Sequence, residues 1–382
     1  MVSVRRIDPA ADCHASFLPK LRALLHSGGF RRREDDSGVK KWDSDTCDPS
    51  YARIHWYDFR SPPQAQPSQA HQLQWTIRPR LVKMATSPAT ANPVPLRMLK
   101  SKLQDYYILT KPEVNLLILM TTSTGYLLAS RYPLRIGGLL NTLVGTLFVA
   151  SGTATLNQWL ERVWDGQMRR TASRPLPSGR LSAREAFWFG TLLSIAGGLY
   201  LAVAVNRLSA FLAISTLLSY LLVYTPLKRR TPLCTLLGAL PGAMPTLIGW
   251  AGAAATINRN AWFLFVILFF WQFPHFLAIA LMYREDYARA GYRMLPRFDL
   301  DSRFTRAEMV GFTVALVATT MLPLVHRSGV VYTAGMLLAG AFLLYHVTKL
   351  ARSASRTLAS RVVRASVIYL PIVLGLMIAC KG

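Results

Sequence analysis

Residues 157–181 read NQWLERVWDGQMRRTASRPLPSGRL, and the run before them, Ile136 to Leu156, carries no charge at all. That run approaches the length needed to cross about 30 Å of hydrocarbon. Asn157, Glu161 and Asp165 then follow at intervals of four. On a helix such positions drift by only about 40° per step and rise about 6 Å, so all three point the same way at the mouth of a membrane span. Arg169, Arg170, Arg174 and Arg180 come next, with Pro175, Pro177 and Gly179 stiffening the turn. One reading is an ordinary polar loop in which Glu161 pairs with Arg162 or Arg169. The other is a site in which carboxylates hold divalent ions and arginines hold the oxygens of a diphosphate. Mg²⁺ favours few carboxylates plus phosphate oxygens, and guanidinium offers forked donors to the same oxygens.

The rest of the chain repeats the pattern. Of 382 residues 52% are hydrophobic and 16% charged, yet the formal charge is +25. Long uncharged runs and strong basicity coexist when the two are segregated, as in an integral membrane protein. A basic soluble chain that binds nucleic acid has no repeated apolar runs of this length, so nucleic acid is excluded as a partner. The four cysteines, Cys13, Cys47, Cys234 and Cys380, form no metal or haem-attachment spacing.

Apolar runs at Val114–Ser130, Ile136–Leu156, Phe187–Val205, Leu208–Tyr224, Thr235–Ala255, Trp262–Met282, Val310–Val325, Val330–Val347 and Ala365–Ala379 predict nine spans. With the N-terminus cytoplasmic, the inner loops hold twenty Lys and Arg against six outside, the orientation that the positive-inside rule selects. All eight acidic residues after position 114 then fall on the cytoplasmic side: Glu161, Asp165, Glu185, Glu285, Asp286, Asp299, Asp301 and Glu308. The positive-inside rule does not require this, because acidic residues contribute little to topology. A one-sided cytoplasmic site that binds cations through carboxylates accounts for it.

Residues 1–104 differ in kind, mixing Arg, Asp, Ser and Pro without apolar periodicity. A disordered extension is the expectation, with a true start near Met84 as a variant of it. Asp8, Asp12 and the run Glu34 to Asp36 fit poorly with a mitochondrial transit peptide. Residues 105–382 are read as one membrane domain.

A second acidic exit lies at WQFPHFLAIALMYREDYARAGYRMLP, residues 271–296, where Glu285 and Asp286 emerge among Arg284, Arg289 and Arg293 and Gly291 allows a turn. Two such exits on one side of a membrane suit a two-metal diphosphate site. His275 lies within a span, either satisfied beside the Pro274 kink or functional. Trp271, Phe273 and Phe276 are either core aromatics or packing for a flat hydrophobic substrate. Tyr224, Lys228, Arg229 and Arg230 mark a further cytoplasmic corner. The Gly and Pro of the span after it call for close packing or a broken helix. Lys111 precedes the first span, with Pro112 suited to a first helical turn.

Taken together, Asn157-x-x-x-Glu161-x-x-x-Asp165 and Asp165-x-x-Met168-x-Arg170-Thr171-x-x-Arg174-Pro175-Leu176 resemble the UbiA superfamily of intramembrane prenyltransferases. The corner YTPLKRRTP and the segment WQFPHF…YREDYARAGYRMLP resemble its haem-farnesylating branch, over roughly residues 105 to 380. The resemblance implies a nine-helix all-α bundle around a central cavity, and transfer of farnesyl from farnesyl diphosphate to the 2-vinyl group of haem B with addition of water. It further implies two Mg²⁺ ions, one on Asn157, Glu161 and Asp165 and the other on Asp286 with Glu285. Lys111, Arg170, Arg174 and Lys228 would bind diphosphate, with Tyr224 and His275 toward substrate. The bilayer itself and a haem A synthase or oxidase-assembly protein are the implied partners, in the bacterial inner membrane or, alternatively, the mitochondrial one. Cys234 and Thr246 depart from the branch, standing where Asn and Pro are usual. Rival readings are a prenyltransferase acting on a quinone-precursor ring and a transporter, the latter disfavoured by the lack of outer acidic residues and of paired broken helices.

Overall fold

The computed structural model describes residues 94–299, 301–322 and 329–381, with side chains from residue 101. The expectations for residues 1–93 lie outside the described residues. Among the described residues regular structure is helical throughout: α1 Val94–Leu109, α2 Pro112–Ala129, α3 Ile136–Asp165, α4 Ala183–Ala204, α5 Arg207–Leu227, α6 Cys234–Ala254, α7 Arg259–Met282, α8 Arg284–Arg289, α9 Leu295–Phe298, α10 Arg303–Thr320, α11 Val330–Arg352 and α12 Arg356–Ala379.

Among the described residues nine of these helices have at least 18 residues, and each overlaps one of the apolar runs. Seven of the nine, α3 to α7, α11 and α12, are both long and apolar enough to cross a membrane. The other two fall short on composition. Thr121, Thr122, Ser123 and Thr124 make the middle of α2 polar, and α10 opens with Arg303, Arg306 and Glu308. Several helices also outrun their apolar stretches: α3 continues from Leu156 to Asp165, α11 from Val347 to Arg352, and α12 begins at Arg356 rather than Ala365. The 13-atom hydrogen-bond ladder has no reason to stop where the hydrocarbon does. That overrun carries Asn157, Glu161 and Asp165 on the last turns of a spanning helix rather than on a loop.

The most enclosed helices are α6 and α7, with 67% and 61% of their apolar windows buried against 33% for α4, α5 and α11. Small residues let α6 into the centre. A Cβ on Gly125 of α2 would collide with the carbonyl oxygen of Thr246, and one on Gly249 of α6 with that of Thr122. The two backbones therefore touch at a reciprocal glycine crossing, the close approach expected where apolar burial cannot drive helix association. Pro241 and Pro245 sit inside α6 without breaking it. Of the two outcomes expected for this segment, close packing is the one realised.

At one end of the bundle the connections fold over the helix ends. Helix α1 begins inside the segment read as an extension, and its second half is anchored to the bundle. Leu109 is fully buried against Leu176, Leu181 and Ala186, Gln158 donates to the Leu109 carbonyl, and Asp105 pairs with Arg180 at 2.9 Å. Two of the acidic residues serve helix starts. Asp299 accepts from the backbone N–H groups of Arg303 and Thr305, and Glu185 completes a capping box with Ser182 while pairing with Lys102. Gly179 and Gly291 take φ of +75° and +71° in the two loops, the left-handed turns that glycine makes without strain.

Candidate active site

Asn157, Glu161 and Asp165 are 1%, 5% and 1% exposed, so the carboxylates are stable there only with partners. Each has one. Lys228 Nζ donates to Glu161 Oε1 at 2.8 Å, Tyr292 OH donates to the same oxygen at 3.1 Å, and Asn157 Nδ2 donates to Oε2 at 2.9 Å. Arg174 holds Asp165 Oδ2 at 2.7 Å, and Thr171 Oγ1 donates to the Asp165 carbonyl. Three connections thus converge on one face of α3: residues 166–182, the α5–α6 corner and the segment after α8.

Helix α5 reaches that face through a π-helical turn at Ser219–Tyr224. Such a turn inserts an extra residue and re-aims the residues beyond it, and it is often found at functional sites. Here Thr225 Oγ1 lies 2.9 Å from both the Tyr220 carbonyl and Asn157 Oδ1, and Lys228 comes over the rings of Tyr224 and Tyr220 at 4.5 and 5.9 Å. Lys111 arrives from the α1–α2 junction with φ 51°, left-handed for a residue with a Cβ. Backbone outliers of this kind persist where the surroundings over-determine them.

The resulting cavity holds about 140 Å³ and places four cations, Lys111, Arg170, Arg174 and Lys228, around the carboxylates Glu161 and Asp165. Tyr220, Tyr224, Tyr287, Tyr292, Met168 and Met294 complete its wall. Burial, then the neighbouring positive charges of Arg174 and Lys228, depress the Lys111 ammonium to about 7. Burial is the largest influence on Lys228 and works against its charge, but the Glu161 carboxylate, with Tyr224, Tyr220 and Tyr292 adding to it, holds that lysine well above the usual range. Burial pushes the phenols of Tyr287 and Tyr292 up, so both are neutral donors.

Glu285 and Asp286 do not line this cavity. They border a neighbouring one of about 560 Å³, with Asp286 paired to Arg289; Arg170 lines both. Among the described residues no three His, Cys, Asp or Glu side chains gather as a metal site. The donor set nonetheless suits a hard cation: an amide oxygen and two carboxylates on successive turns of one helix, all oxygen ligands. His275 is placed away from both cavities, stacked on Trp271 at 4.9 Å with Nδ1 2.8 Å from Ser366 Oγ. Trp271 donates to the Ser366 carbonyl, so the pair ties α7 to α12. Sequence reasoning missed Tyr292, Tyr220, Tyr287 and Thr225. Tyr287 and Tyr292 lie within the second acidic stretch, but nothing in their spacing announces a partner 131 residues away.

Cations and carboxylates meet at one end of a bundle of apolar helices, and comparison gives the class: an intramembrane prenyltransferase. The profile of the UbiA prenyltransferase family matches residues 118–368, and the chain belongs to that family. Among solved structures, digeranylgeranylglyceryl phosphate synthase superposes with a TM-score of 0.60 at 21% identity, covering 73% of this chain and 98% of that one. A UbiA homologue from Archaeoglobus fulgidus bound to DMAPP and Mg²⁺ superposes with a TM-score of 0.56 at 15% identity, over 72% and 99%. Within the family, the protoheme IX farnesyltransferase of Solibacter usitatus is 49% identical over 286 residues, covering 72% of this chain and 98% of the relative.

Proposed function

We propose that this protein transfers the farnesyl group of farnesyl diphosphate to the 2-vinyl group of haem B, with addition of water, giving haem O and diphosphate. The observation that supports it most is the buried array of Asn157, Glu161 and Asp165 under Lys111, Arg170, Arg174 and Lys228, joined to the 49% identity with a protoheme IX farnesyltransferase. Nine crossings, with α2 and α10 included, and a bacterial inner membrane with the site facing the cytoplasm belong to the same reading, as does a haem A synthase or oxidase-assembly partner downstream.

Asn157, Glu161 and Asp165 would hold one Mg²⁺, and Asp286 with Glu285 the second. Bound metal supplies positive charge to the diphosphate oxygens as the C1–O bond weakens. The chain's own residues do the rest. Lys228 and Arg174 exchange their carboxylate partners for phosphate oxygens and stabilise the departing charge in a water-poor pocket. Tyr224 and Tyr292 close the pocket wall, and the surrounding helices keep water from the allylic cation until C1 bonds to the terminal vinyl carbon. Water then adds to the inner vinyl carbon and loses a proton, which leaves the hydroxyethyl group. His275 is assigned to holding Trp271 and α12 rather than to substrate.

The test is expression in a bacterial strain deleted for its haem-farnesylating enzyme. The account expects haem O among the extracted haems with the wild-type chain and far less of it with Asp165→Asn. A prenylated aromatic acid with haem B unchanged would move the chain to the quinone-precursor reading.

A further inference from the structure

The larger of the two cavities carries Glu285 and Asp286, assigned above to the second metal, and the rest of its lining has a distinct chemistry. Arg169, Arg170, Arg284, Arg289 and Arg356 surround it against only two carboxylates, Glu285 and Asp286. Tyr283 stands between two of these arginines: Arg170 lies over its ring at 4.9 Å and Arg356, from the start of α12, at 5.8 Å. A guanidinium resting on an aromatic ring is oriented without spending its in-plane N–H donors, which stay available for a carboxylate. Leu281 and Met282 add an apolar wall, and about 560 Å³ falls within the roughly 300–1,000 Å³ of small-molecule sites.

We propose that this cavity binds the two propionate carboxylates of the haem acceptor, with Arg169 and Arg356 as their principal partners. The inference rests on the haem-farnesylating reading above and deepens it. Haem carries its propionates on one edge and its vinyl groups on the opposite one. Propionates held at Arg169 and Arg356 leave the vinyl edge to reach past Arg170, which borders the diphosphate cavity as well. The site thereby selects both the dianionic character of the acceptor and which edge faces the prenyl donor.

The experiment uses the full-length protein in phosphatidylcholine nanodiscs, titrated with haem B and with haem B dimethyl ester and followed by Soret absorbance. Binding of Mg²⁺ with inorganic pyrophosphate serves as a check on folding. The double variant Arg169→Gln/Arg356→Gln is expected to bind haem B at least about tenfold more weakly, to bind the ester as the wild type does, and to keep pyrophosphate binding. Wild-type affinity for haem B in the double variant, or equal wild-type affinity for acid and ester, overturns the propionate site and leaves the farnesyltransferase reading standing. No Soret change with either ligand in the wild type overturns both.

Discussion

Lys228 Nζ lies 2.8 Å from Glu161 Oε1, joining the corner after α5 to the last turns of α3 across 67 residues of chain. The same two side chains line the cavity proposed for the diphosphate and its metal, so the two charges that satisfy each other are the pair that substrate must separate.

Removing one partner of a buried ion pair strands the other. Lys228→Met is therefore expected to destabilise the protein by about 3 kcal/mol, read as a lowered midpoint of thermal unfolding in detergent. Lys228→Met/Glu161→Gln should recover most of that stability and none of the activity. A double variant as unstable as the single one would show that packing of the lysine, not its charge, is what matters.

Asp165→Asn keeps the shape and removes the charge opposite Arg174. Initial farnesylation rates are expected to fall at least about 100-fold, with the remaining rate requiring more Mg²⁺ for half-saturation. An unchanged Mg²⁺ dependence would argue that Asp165 only orients Arg174.

The reciprocal glycine crossing of α2 and α6 leaves no room for a methyl group, because the atoms a Cβ would meet are backbone carbonyls. Gly249→Ala is expected to cost about 1–3 kcal/mol and to lower the unfolding midpoint. The control is Gly311→Ala on α10, where a Cβ meets nothing nearby; it should leave that midpoint unchanged or slightly higher.

Lys111, with its ammonium depressed to about 7 from an ordinary 10.5, gives the site a defined proton response. The unfolded chain holds that proton between about 7 and 10.5 and the folded one does not, so this group makes folding more favourable as pH rises through the window. A diphosphate in the cavity reverses the balance by favouring the charged lysine. Binding of Mg²⁺ and pyrophosphate at pH 8.5 should therefore take up protons, measured by calorimetry in two buffers of different ionisation heat. Lys111→Met should remove that uptake.

The architecture was legible because hydropathy and charge were segregated: each apolar run overlaps a long helix. The array on α3 was legible as well, since spacing by four fixes a shared face once the helix is granted. Contacts that close the site were not. Tyr292 reaches Glu161, and Thr225 reaches Asn157, through loop geometry and a π-helical turn that apolar periodicity cannot encode. Nor could spacing show that Asp286 would face a separate cavity beside Arg289, because nothing local fixes the direction of the short helix that carries it.

The central claim is tested most directly by incubating the purified protein in lipid with haem B, farnesyl diphosphate and Mg²⁺, then determining the mass of the extracted haem. The account expects haem enlarged by one farnesyl group and one water, lost on adding a chelator. Unaltered haem from protein that still binds pyrophosphate and Mg²⁺ would contradict it.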